Sequence, residues 1–141
     1  MGREAENVEV IHGLHEAVNR EGRWAAVGPL VDPEIELTTD PRHPNAGTYR
    51  GRERYTAFLE EFDEPYARTS VEPERYFARG DRVVAFVNVH RRPHGGSVDV
   101  ESRIGFLWEL RDGRVVREQV FGEREKALEA AGMGPDDAVS D

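Results

Sequence analysis

Apolar positions recur along the chain in two distinct rhythms. Val10, Ile11, Leu14, Ala17 and Val18 fall at helical spacing, with Glu9, Glu16 and Arg20 opposite, and Gly22 supplies a stop. Trp24, Val27, Leu30 and Val31 predict a short second helix closed by Asp32-Pro33, and Ile35 to Thr38 alternates as a strand. Asp40 to Gly51 contains Pro41, Pro44, Asn45 and Gly47 and reads as a loop. Tyr55, Phe58, Leu59 and Phe62 then mark the buried stripe of a third helix.

From Tyr66 the period shortens to two. Strands are predicted at Tyr66 to Arg79, Arg82 to Arg92, Val98 to Arg111 and Arg114 to Phe121, separated by Gly80-Asp81, Pro93 to Gly96 and Asp112-Gly113. They should pair as an antiparallel meander, followed by a helix over Glu123 to Ala131. Helices first and a meander last specify an α+β fold. No linker divides the chain, so residues 1–133 form one expected domain and 134–141 an expected frayed tail.

The last hairpin determines which side chains face inward. A three-residue loop Arg111-Asp112-Gly113 would pair Leu110 with Arg114, Trp108 with Val116, Phe106 with Glu118 and Ile104 with Val120. One face then carries Ile104, Phe106, Trp108, Val116 and Val120, with Ser102 and Glu118 among them. This places a carboxylate on an apolar inner face, where it must find a partner or become neutral. In strand Arg82 to Arg92, Val84, Phe86, Asn88 and His90 share one side, and Val83, Ala85, Val87 and Val89 the other. Both sides are largely apolar, which predicts cover on both faces and a homodimer through the sheet.

Composition narrows the function classes. The 141 residues carry 28 acidic and 19 basic side chains, a formal net charge of −9, which disfavours phosphate backbones and hence nucleic acid. No apolar run reaches the roughly 20 residues of a membrane span, and the first nine residues lack a signal-peptide stretch. With no cysteine there is neither a thiol nucleophile nor a thiolate metal site. His90 and His94 have no third ligand in view, so no metal and no cofactor is expected. A cytoplasmic location is the default expectation.

The helix ending at Glu21-Gly22, Trp24, and the run Val31-Asp32-Pro33-Glu34-Ile35-Glu36-Leu37 are similar to the opening of nuclear transport factor 2-like proteins. With Thr48 to Glu53 and Arg111 to Val116, the chain resembles the SnoaL-like polyketide cyclase and ketosteroid isomerase group from about Glu6 to Met133. The resemblance implies a cone-shaped α+β barrel, a curved antiparallel sheet wrapped around three N-terminal helices. It also places the isomerase group's general base on Asp40, one oxyanion donor on His15 and the second on Phe106. Pocket-wall positions fall on Asn19, Phe58, Leu59, Phe86, Asn88, Glu118 and Gly122. The base is retained, but one donor is altered and the other is absent. Losing one oxyanion donor typically costs on the order of 10²–10³ in rate, so the steroid-isomerase donor set is not reproduced. Glu101 and Arg103 resemble the acid–arginine sets of the epoxide-hydrolase branch, but the hairpin register turns them outward.

These readings give two candidate functions. In one, Asp40, His15 and Glu118 perform cofactor-independent acid–base chemistry on a small apolar carbonyl compound, of isomerase, cyclase or dehydratase type. Asn88 would be a polar anchor, with Trp24, Phe62 and Ser102 completing the wall. In the other, the same pocket holds a small hydrophobic metabolite without changing it. Each candidate residue also has a structural role open to it: a turn cap for Asp40, a hydrogen-bonded core residue for His15, and an ion pair for Glu118.

Overall fold

A computed structural model describes residues 2–42 and 46–139. Pro44 and Asn45 of the expected loop, and the last two residues of the tail, lie outside the described residues. Helix α1 (Arg3–Glu21) buries Ile11, Leu14, His15 and Val18 and stops at Gly22, whose left-handed backbone (φ 73°) lets its N–H cap Val18 O at 2.6 Å. The Trp24 segment is a 3-10 helix, Trp24–Leu30, and not an α-helix. Its first two N–H groups, of Trp24 and Ala25, donate to the Asp63 carboxylate at the end of helix α2 (Arg52–Asp63), each at 2.9 Å.

The described residues form a six-stranded sheet from β1 (Glu36–Thr38), β2 (Thr48–Arg50), β3 (Tyr66–Arg79), β4 (Arg82–Pro93), β5 (Val100–Arg111) and β6 (Arg114–Phe121), in the order β2-β1-β6-β5-β4-β3. The meander β3 to β6 is antiparallel as expected, while β1 joins β6 in parallel. Strand β2 is an addition within the stretch expected to be a loop. It pairs Tyr49 with Leu37, a three-residue ladder too short to leave an alternating pattern.

The β5–β6 register differs from the expected one. The turn holds two residues, Asp112 (φ 52°) and Gly113 (φ 76°), so Arg111 pairs with Arg114 and Leu110 with Val115. A bulge at Val116 follows, after which Trp108 faces Glu118 and Phe106 faces Val120. Val115, fully buried, takes the inner place expected of Val116. Beyond the bulge the pairing has slipped by two residues from the expected register. An even slip keeps each side chain on its face, so Glu118 still points inward.

Helices α1 and α2 and the 3-10 turn pack on the concave face, where the main core joins Ile11, Val18, Tyr55, Val83, Ala85 and Phe106 among others. On the convex face, helix α3 (Arg124–Ala131) covers Phe77, Val84 and Leu107. The outer apolar side of β4 is therefore covered at Val84 from within the chain. The tail is also ordered further than its polar composition suggests. Ala138 bridges to Phe77, Val139 N–H donates to Tyr76 O at 2.9 Å, and Asp137 pairs with Arg79 at 2.8 Å. No helix among the described residues is long and apolar enough to cross a membrane.

Gly105 is where α3 meets the sheet. A Cβ there would lie 3.0 Å from both Cα and O of Arg124 and 3.1 Å from the Ala127 Cβ. Gly105→Val should lift α3 and cost about 1–3 kcal/mol, the usual range for overpacking, read as a lower midpoint in urea unfolding. An unchanged midpoint would mean that α3 contributes little to the fold.

Candidate functional site

The concave side encloses a cavity of about 210 Å³. Sites for drug-sized ligands run to roughly 300–1,000 Å³, while an apolar hole of about 150 Å³ holds benzene, so this one suits a compact body of about one ring. Trp24 from the 3-10 turn, Phe58, Leu59 and Phe62 from α2, and Ile104 and Phe106 from β5 supply its apolar wall. Trp24 and Phe106 meet at 5.7 Å between ring centroids, and Phe106 stacks on Trp108 at 4.9 Å. The polar groups on the lining are few: Thr39, Asp40, Arg91, Ser102 and Glu118.

Glu118 is the buried ionisable group among these, 7% exposed. The Tyr55 hydroxyl donates to its Oε1 at 2.8 Å and Trp108 Nε1 donates to the same atom at 3.2 Å. Both donors converge on one oxygen, which leaves Oε2 for a proton or a ligand. Burial pushes the Glu118 pKa up from its usual 4.5, and the two hydrogen bonds only partly oppose that shift. Desolvation, followed by the neighbouring Glu118 charge, raises the Tyr55 pKa as well, so that hydroxyl keeps its proton.

Asp40 is a different kind of carboxylate. It sits on the lining, yet four donors engage it: Arg42 N–H at 2.9 Å, Arg42 Nε and an Arg42 terminal nitrogen at 3.2 Å each, and Gly122 N–H at 2.8 Å. The Arg42 bonds above all, with Gly122, hold its pKa well below the usual carboxylate range. A general base must accept a proton near working pH, and Asp40 is tuned away from that. Its structural work is to tie the loop after β1 to the end of β6.

His15 takes the structural role open to it, a hydrogen-bonded core residue. Its Nδ1 shares a hydrogen bond with the Tyr76 hydroxyl at 2.9 Å, its ring lies edge-on to Trp108 at 5.4 Å, and Nε2 is buried without a protein partner. It lines a separate void of only about 20 Å³, which Glu118 and Tyr55 also border. Glu118 thus stands between the main cavity and His15.

Three expected pocket residues lie elsewhere. Asn19 clamps the β3 backbone, donating to Val71 O at 2.9 Å and accepting from Val71 N–H at 2.7 Å. Phe86 and Asn88 occupy the convex side of β4, because Val83, Ala85, Val87 and Val89 take the concave phase against Trp108, Phe106, Ile104 and Ser102. Phe86 packs on Phe77 at 5.0 Å, and Asn88 Nδ2 reaches Glu72 at 3.4 Å. Glu101 and Arg103 face outward as read, and Glu101 pairs with His90 at 3.1 Å. Sequence reasoning missed site residues, Tyr55 and Arg91 foremost. Tyr55 was read only as helix core, and Arg91 continues the concave phase of β4, a signal available once that phase is known.

The buried ring of His15 gives a pH dependence with a definite sign. Burial above all, then His12, pushes its pKa from 6.5 down to about 3. Between those values the unfolded chain binds a proton that the folded one refuses, so stability falls as pH drops from 6.5 toward 3. The slope reaches at most about 1.4 kcal/mol per pH unit. Glu118, shifted up, acts oppositely above pH 4.5, giving stability that is lost as pH rises. His15→Leu should therefore flatten or invert the pH dependence of unfolding between pH 5 and 6.5, measured by chemical denaturation across that range. An unaltered slope would show that His15 titrates normally.

The SnoaL-like domain family matches residues 11–118. A search of curated proteins finds no match. A candidate SnoaL-like polyketide cyclase from Jannaschia sp. CCS1 superposes with a TM-score of 0.71 at 22% identity, covering 96% of this chain and 97% of that one. An NTF2-like protein of unknown function from Burkholderia pseudomallei gives 0.71 at 17%, covering 88% and 95%. An epoxide hydrolase of LEH-like type from M. tuberculosis gives 0.66 at 16%, covering 92% and 93%. Identities this low establish a common fold and leave chemistry to the site itself. Element order, the curved sheet and the matched span agree: the chain belongs to the SnoaL-like domain family.

Proposed function

We propose that this protein binds a compact apolar carbonyl compound in the cone and moves a proton on it without a cofactor, with Glu118 as the proton-exchanging group. The observation that supports this reading is a carboxyl group at the bottom of an apolar cavity, one oxygen doubly hydrogen-bonded and the other left over. Desolvation moves its titration toward neutral pH, where a carboxyl can both take and return a proton. Taking a proton from carbon next to a carbonyl leaves negative charge on the carbonyl oxygen. Trp24, whose ring lines the same cavity, has a buried Nε1 without a partner and is the candidate donor for that oxygen. Proton removal at one position and return at another is chemistry of isomerase or cyclase type. Phe106, Phe58 and Leu59 surround it with apolar side chains.

The locked state of Asp40 favours a second reading, in which the cavity only stores its ligand. Proton exchange separates the two. Phenylacetone in D₂O, followed by proton NMR, should lose its α-protons faster with the protein than in buffer. Glu118→Gln should cut that excess by on the order of 10² or more, the usual contribution of a positioned acid–base group. Asp40→Asn should leave it within about threefold, since Asp40 holds a loop; typical loss of a working base would be on the order of 10²–10⁴. Bound ketone exchanging only at the buffer rate would support the storage reading and contradict the catalytic one.

A further inference from the structure

Among the described residues Arg91 is the one strong cation on the cavity lining, and nothing in the proposed proton transfer uses it. It continues the concave phase of β4 beyond Val89 and pairs across the sheet with Val100. Glu118 sits opposite Trp108, so the two groups mark opposite ends of the pocket along β5. The guanidinium carbon lies 4.7 Å from the Phe62 ring centroid and 4.6 Å from that of Tyr66. Such stacking orients the planar fork and strips water from its faces.

Among the described residues the charge has no ion-pair partner. Arg91 Nε is buried without a hydrogen-bond partner, and no carboxylate among the described residues forms an ion pair with it. Asp63 balances part of its charge through space without an ion pair, while its two oxygens accept from the N–H groups of Trp24 and Ala25. Asp40 is held by its own arginine, and burial of Glu118 favours its neutral form. The Ser102 hydroxyl, on the strand next to Val89, adds a second donor at the same end. An apolar chamber closed by an oriented, unpaired guanidinium and a hydroxyl matches a molecule with an apolar body and one anionic end.

We propose that Arg91 selects the ligand's charge: the natural occupant is a compact apolar monoanion, a carboxylate or an ionised enol, with its acidic group on Arg91 and Ser102. This rests on the reading of the cavity as the ligand site, not on the chemistry assigned to Glu118. Delocalised oxyanions suit a guanidinium because two parallel N–H donors meet two oxygens.

Phenylacetate and the uncharged phenylacetamide share one shape and differ in charge, so calorimetric titration of both isolates the term. The intact protein should bind phenylacetate at least tenfold more tightly, with the difference shrinking at high salt. Arg91→Met keeps the stem beside Phe62 and Tyr66; it should bring the two ligands within about twofold while the amide still binds. Arg91→Lys should keep part of the preference, because it retains charge without the fork. Binding of the amide by Arg91→Met also shows that the cavity has survived the change. Equal binding of both ligands by the intact protein, or a preference that survives in Arg91→Met, overturns the proposal and leaves the cavity reading standing. Failure of both ligands to bind the intact protein at millimolar concentration overturns both.

Discussion

A carboxyl group held away from water inside an apolar cone is the constraint around which this molecule is organised. Glu118 cannot stay buried and charged without donors, and the fold supplies two from different elements, Tyr55 of α2 and Trp108 of β5. These bonds draw the helix onto the sheet at the level where Trp24, Phe106 and Trp108 pack ring on ring. Polar satisfaction and aromatic packing are met by the same side chains. The interior therefore has a fixed polar point in an otherwise undifferentiated wall.

The other ionisable groups are each disposed of differently. Asp40 is neutralised at the rim and becomes a brace between the loop after β1 and Gly122. His15 is kept uncharged by burial and bonded to Tyr76. Arg91 is stacked on rings without a counter-ion. The expected trio of Asp40, His15 and Glu118 thus resolves into a brace, a core residue and one group on the cavity floor. Membership of the SnoaL-like family fixes the scaffold. The site is set by these local arrangements, which differ from the donor set that the isomerase resemblance implied.

Much of the architecture was legible because its signals are periodic and strong. The stripes of α1 and α2 and the long alternations of β3 to β6 need only one buried face to be read. The inward placement of Glu118 survived a wrong turn type, since the bulge at Val116 completed an even slip. Strand β4 had no legible phase. Val84 and Phe86 are apolar for α3, just as Val83 and Ala85 are for the core, so alternation could not say which side was the cavity. That ambiguity misplaced Phe86 and Asn88 and hid Arg91. Asn19 was misplaced for another reason: its partner Val71 meets it only through geometry that spacing in sequence does not encode, whereas the turn bond from Arg42 to Asp40 spans two residues and was among the roles open to Asp40. The contacts of the tail, a bridge from Ala138 to Phe77 and an ion pair from Asp137 to Arg79, leave no periodic signal in the sequence.

The protonation state of Glu118 can be observed directly. Carbon-13 NMR of glutamate-labelled protein, with the Glu118 signal identified by its loss in Glu118→Gln, follows the carboxyl through a pH titration. The account predicts a transition clearly above 4.5, with the protonated signal persisting after the surface glutamates have ionised. A Glu118 signal that titrates with those surface groups, or below them, would contradict it.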